Sequence, residues 1–157
     1  MTSKSSLTKK EKAILIRLLP KLRWPLPYPV FLALCESVPM IVVYCAAMPD
    51  PKHLALVHRN DDPLDRWCIP GGVLYHKEKV ATALARVAKN KLGVRLQKVR
   101  FVGYYESRDE REHGIRLIFA GKPIGALHRG KMFNINRLPK KFLHDHMPGM
   151  RMIRQLK

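Results

Sequence analysis

The residues able to do chemistry concentrate between Trp67 and Val94. A Pro70-Gly71-Gly72 turn is followed by Glu78, by Arg86 eight residues later, and by Gly93 closing an amphipathic helix. Glu78 and Arg86 are natural ion-pair partners, and a carboxylate at Glu78 also suits bonding the loop to the helix start. Arg59, Arg86 and Lys91, with the His76-Lys77 loop, supply positive charge of the kind that holds phosphate oxygens. Arginine does this as a planar fork and lysine as a point charge. The plainer role for Lys91 is a stem lying over the apolar stripe with its amine in water. His128 lies in Gly125-Ala126-Leu127-His128-Arg129-Gly130, which reads as an exposed loop. Loops near a site often carry the base, and imidazole has a suitable unperturbed pKa; a surface histidine with no role is the competing account.

Several elements must position these groups. Residues 1–7 read as a basic tail. Thr8 and Glu11 form a capping-box pattern ahead of a helix with Ile14, Leu15, Leu18 and Leu19 on one side, ending near Pro20. Such a helix either lies on a membrane or packs as a cap on its own domain, and the cap is the expectation. Trp24 to Met48 is apolar but interrupted by Pro25, Pro27, Pro29 and Pro39, so it reads as a buried segment and not a membrane span, which needs about 20 unbroken apolar residues. Met40 to Ala47 suits a strand covered on both faces, Pro49 to Lys52 a hairpin turn, and His53 to Arg59 the returning strand. Asn60 to Arg66 is a loop. Val80, Leu84, Val87, Ala88 and Leu92 recur at helical steps and predict a helix over about 79–92. Further strands are expected at Lys98–Tyr105, Ile115–Ala120 and Lys131–Ile135, with a charged turn from Ser107 to Gly114 and a terminal helix from Pro139 or Pro148. Strands alternating with helices give a mixed α/β domain. Residues 1–37 are read as tail, helix and proline-rich lead-in, and 38–157 as the domain proper.

With 157 residues one domain is expected. Thirty Lys and Arg against twelve Asp and Glu give +18, which favours polyanionic partners: nucleotides, nucleic acid or acidic membrane surfaces. Cys35, Cys45 and Cys68 are far apart and form no CxxC pair, so neither a disulfide framework nor a zinc site is suggested. A reducing, cytoplasmic setting follows. No signal-peptide pattern opens the chain.

The spacing of Gly72, Glu78, Arg86, Gly93 and Val94 resembles the Nudix box, the loop-helix-loop that holds metal and pyrophosphate in Nudix hydrolases. Arg59, Asp62-Pro63 and Trp67 ahead of the glycines, and Gly103-Tyr-Tyr-Glu-Ser107 after them, look like the GDP-mannose mannosyl hydrolase branch. Leu138-Pro139 and His144-Asp145-His146 look like a common Nudix ending. The resemblance implies an α/β/α sandwich with a mixed sheet, the box at about 72–94, and magnesium or manganese as cofactor. Three box glutamates are replaced, by Val87, Asn90 and Lys91. Positions 87 and 91, one helical turn apart, are expected to project to the same side.

Magnesium needs hard oxygen ligands, and a protonated amine at 91 supplies none. The resemblance makes the Gly72 carbonyl a metal ligand and His128 the base, whereas Lys91 and Leu127 stand where two further metal ligands belong. Val73 and Ile41 replace residues tied to the GDP-mannose substrate, so that substrate is not carried across. The Lys91 ammonium stands where a metal charge normally stands, free to hold phosphate directly. The leading reading is therefore a Nudix-type hydrolase of a nucleoside diphosphate linked to another moiety, with impaired or unusual metal dependence. Glu78 and His128 are the catalytic candidates, and Arg59, Gly71, Gly72, Arg86 and Lys91 the substrate contacts. A non-catalytic nucleotide sensor and an RNA-binding protein are the alternatives. A homodimer through the apolar 24–48 region is a further expectation.

Overall fold

The computed structural model describes residues 7–60, 65–108 and 113–156. The apolar run Met40–Ala47 forms strand β1, inside a four-stranded mixed sheet. Neighbouring side chains of a strand face opposite sides, and β1 is covered on both. Val43, Cys45 and Ala47 join one core, Val42, Tyr44 and Ala46 another; only Ile41 of this strand is exposed. Gly71–Val73 (β4) pairs antiparallel with β1, and His113–Ile124 (β6) runs parallel to it, Val42 opposite Arg116 and Tyr44 opposite Ile118. Arg95–Arg108 (β5) closes the order β4-β1-β6-β5 as the antiparallel partner of β6. His53–Arg59 (β2) lies between Arg66–Cys68 (β3) and Lys131–Asn134 (β7) in a second, antiparallel sheet. The Asp50 carboxylate accepts the Lys52 amide at 2.7 Å, which fixes the turn between β1 and β2.

Helices cover both faces. Val80–Val87 (α3) buries Ala83, Leu84 and Val87 against Val43, Cys45 and Ala47. Met147–Arg154 (α4), with Pro148 in its first turn where the missing amide costs nothing, buries Met150 and Ile153 on the other side. This is the α/β fold expected, a mixed sheet between helices. The three cysteines are buried thiols, and burial pushes Cys45 up to about 12. No helix among the described residues is long and apolar enough to cross a membrane.

Three expectations need correction. The box helix is not one α-helix over 79–92: it is α-helical to Val87, then Ala88–Leu92 forms a π turn that Gly93 closes at φ 76°. Val87 is buried in the apolar core, whereas Lys91 is exposed and lines a cleft wall. The 24–48 segment is buried only in its β1 half; its first half forms a second helix, Tyr28–Ser37 (α2), of which only Cys35 is buried. Finally, Lys9–Leu18 (α1) has the full capping box, with Thr8 and Glu11 bonded reciprocally, but none of its residues is buried, so it is not a packed cap. Asp62-Pro63, most of the 60–66 loop, the tip of the 107–114 turn and the tail through residue 6 lie outside the described residues.

Candidate functional site

The Gly-Gly turn is dictated by its neighbours. A side chain at Gly71 would collide with the Tyr44 ring, and one at Gly72 would sit 3.0 Å from Val87 and 3.5 Å from Arg86. Glycine lets β4 lie flat between β1 and the start of α3. Glu78 and Arg86 then lock the loop. Arg86 Nε donates to Glu78 Oε1 at 2.8 Å, and Nη2 donates to Oε2 at 2.7 Å and to the Val73 carbonyl at 2.8 Å. The Tyr75 amide donates to Glu78 Oε2 at 3.1 Å. The guanidinium hydrogen bonds, aided by that amide, hold the Glu78 carboxyl below the usual carboxylate range against the opposing effect of desolvation. Glu78 in turn raises Arg86. Arg86 lies 3.8 Å over the Tyr75 ring, on which Trp24 also stacks. Neither Glu78 nor Arg86 lines the cleft described next; their geometry is that of a brace.

Beside the turn opens a cleft of about 1170 Å³. Gly71, Gly72, Arg59 and Lys91 line it, as do Arg116, Arg129 and Lys131, which the sequence reading did not select. Among the described residues Asp145 is the only carboxylate in its walls. Tyr28, Phe31 and Leu32 of α2 form an apolar side. Arg116 is buried in β6, a position signalled in the sequence by a lone cation within the apolar run Ile115–Ala120. His128 is exposed and rests against Gly93, its amide donating to the Leu92 carbonyl at 3.0 Å; it is not among the residues lining the cleft, although the next residue, Arg129, is.

His146, from the His144-Asp145-His146 ending, is buried at the cleft floor. The Ile69 amide donates to its Nδ1 at 3.2 Å, so Nδ1 is unprotonated and Nε2 carries the hydrogen toward the Tyr44 hydroxyl, 2.9 Å away. Burial, then the charges of Arg116 and Arg59, push His146 down to about 3. The Tyr44 phenol is raised by desolvation and by Tyr105, whose own hydroxyl donates to the Asp145 carbonyl at 3.1 Å. The floor is therefore neutral, and the cleft's charge comes from its walls.

Residues 38–145 match the family model described as NUDIX domain. The chain belongs to the Nudix family. Among solved structures, this Nudix chain is similar to a MutT Nudix hydrolase from Burkholderia pseudomallei, at 20% identity and TM-score 0.67, over 74% of this chain and 98% of that one. It is also similar to a MutT protein from Methanosarcina mazei Go1, at 14% identity and TM-score 0.64, over 74% and 94%. The E. coli ORF135 protein gives 17% identity and TM-score 0.59, over 74% and 90%. Likeness at these identities is likeness of fold. No curated protein matches the chain.

Nudix hydrolases generally use divalent metals. Around Gly72 the box positions present Val87 and Lys91, and among the described residues no three His, Cys, Asp or Glu side chains are grouped to hold an ion. That donor set, a carbonyl with an alkyl group and an ammonium, does not fit magnesium or manganese, which need several hard oxygens.

Proposed function

We propose that this Nudix protein binds and hydrolyses a nucleoside diphosphate linked to another moiety, with side-chain cations doing what metal charge does elsewhere in the family. The observation that carries the reading is the cleft wall beside Gly71-Gly72, which gathers Arg59, Lys91, Arg116, Arg129 and Lys131, with Asp145 the one carboxylate lining it among the described residues. Such a wall suits a diphosphate, which carries at least two negative charges and accepts bidentate guanidinium contacts. In hydrolysis, water adds at phosphorus or at the glycosyl carbon, the bridging bond breaks, and the water proton passes to a base. Negative charge then gathers on the leaving phosphate, where preorganised cations act most strongly. Lys91 and the arginines fill that role; Glu78 and Arg86 keep the loop in shape. His128 is the base to be tested, one residue from Arg129 on the wall. Arg59 and Trp67, which prompted the comparison with sugar-nucleotide hydrolases, both line the cleft and support a sugar-nucleotide-like substrate.

A second reading, a nucleotide sensor without turnover, is favoured by the same lack of carboxylates. A panel of nucleotide sugars, ADP-ribose, dinucleoside polyphosphates and nucleoside triphosphates, run with magnesium, with manganese and with EDTA, separates the two. Turnover that survives EDTA and falls in Lys91→Glu supports the hydrolase. Turnover abolished by EDTA overturns the cation substitution. Saturable binding with no product in any condition supports the sensor. Loss of turnover with intact binding in His128→Asn assigns the base, and unchanged turnover removes it.

A further inference from the structure

Helix α1 is specified as a helix, and yet none of its residues is buried. Its capping box is complete: Glu11 Oε2 accepts the Thr8 amide and hydroxyl, each at 2.7 Å, and the Thr8 hydroxyl accepts the Glu11 amide at 3.3 Å. Ile14, Leu15, Ile16, Leu18 and Leu19 follow, and they are 40%, 45%, 71%, 47% and 47% exposed. A ten-residue helix is marginal alone in water, and most helices persist because an apolar face is buried. Here no face is buried.

Charge narrows what would cover it. Between residues 7 and 23 six cations, Lys9, Lys10, Lys12, Arg17, Lys21 and Arg23, stand against the single carboxylate of Glu11. That carboxylate is turned back into the cap, at the positive end of the helix dipole. A second copy of the helix would bring six like charges against six. A nucleic acid would meet the cations but leave isoleucine and leucine in water. An anionic lipid surface satisfies both, taking the apolar side chains below the headgroups and the ammonium and guanidinium groups among the phosphates. The helix is also tethered: Arg23 donates to the Pro20 and Leu22 carbonyls at 2.7 and 2.9 Å, and the following Trp24 stacks on Tyr75 in the box loop.

We propose that α1 is an interfacial anchor that docks this protein on an anionic lipid bilayer. It lies outside the family-matched residues 38–145 and is independent of the proposed hydrolysis.

The test uses the full chain and vesicles of phosphatidylcholine alone or mixed with phosphatidylglycerol. The parent is expected to co-sediment with the mixed vesicles and not with the neutral ones. A variant carrying Leu15→Gln, Leu18→Gln and Leu19→Gln keeps every charge and is expected to bind the mixed vesicles at least about tenfold more weakly, because three partly buried leucines are lost from the interface. Its fold, followed by circular dichroism, is expected to match the parent, since none of these side chains is buried. Equal co-sedimentation of parent and variant overturns the proposal and leaves a general attraction of a +18 protein. Failure of the parent to bind mixed vesicles overturns it too. So does a parent dimer that dissociates in the variant, which would make a second copy the occupant. RNA binding weakened by the same leucine changes would do so in favour of nucleic acid.

Discussion

Replacing Arg86 with alanine should destabilise the protein, although Arg86 does not itself line the cleft. The substitution removes two charge-assisted hydrogen bonds to Glu78, one to the Val73 carbonyl, and the guanidinium stacked on Tyr75. Taking one partner from a buried ion pair costs about 3–5 kcal/mol, because the other charge is left without compensation. The side chains here are 23% (Arg86) and 11% (Glu78) exposed, so water relieves part of that cost. A loss of about 2–3 kcal/mol is expected. For a domain of this size that lowers Tm by about 5–10 °C. Glu78→Gln should cost less, and a double-mutant cycle by urea denaturation should return a coupling of at least about 1 kcal/mol. The pH dependence has a definite sign. Glu78 is depressed in the folded state, so its contribution is complete above the unfolded value near 4.5 and is lost as pH falls through the folded value. The gap between parent and Arg86→Ala should therefore narrow in acid. Arg86→Ala within about 0.5 kcal/mol of the parent, the range of ordinary surface changes, or a gap independent of pH, would refute the brace.

Three other outcomes follow from the same geometry. Lys91→Glu should fold normally because the site is exposed, whereas Val87→Glu, which restores another box carboxylate, buries a charge in the core and should lose about 2–4 kcal/mol in denaturant titrations. His146 is neutral in the folded protein and depressed to about 3, so stability is complete above the unfolded value near 6.5 and falls as pH drops below it, by up to about 1.4 kcal/mol per unit. His146→Gln should flatten that slope between roughly pH 6 and 5 in pH-stepped thermal melts. Arg59→Ala should weaken pyrophosphate binding about tenfold at low salt, and the difference should shrink as salt rises; calorimetry showing no change would remove Arg59 from the site.

The sequence by itself determined the local elements and the loop. Valine and isoleucine in Met40–Ala47 specify a strand buried on both faces wherever it sits, and the Thr8–Glu11 box specifies a helix start from within four residues. Glu78 and Arg86 were legible because their interactions run within a single loop and helix: the brace spans eight residues and needs no distant partner.

The cleft was decided by tertiary structure. Arg116 comes from β6, Arg129 from the approach to β7 and Lys131 from β7 itself; they meet Arg59 of β2 only because β6 lies parallel to β1 and β7 lies beside β2. Charge counting gave the +18 but not which of its cations share the cleft. His146 reads as one more polar residue before a terminal helix. Its neutral state arises from burial first and then from the charges of Arg116 on β6 and Arg59 on β2, and its tautomer from the Ile69 amide and the Tyr44 hydroxyl. The π turn at Ala88–Leu92 was not legible either, because apolar spacing assumes a constant angular step. Periodicity fixes which residues an element buries against its own sheet; which residues of different elements share a cavity depends on how the sheets are ordered.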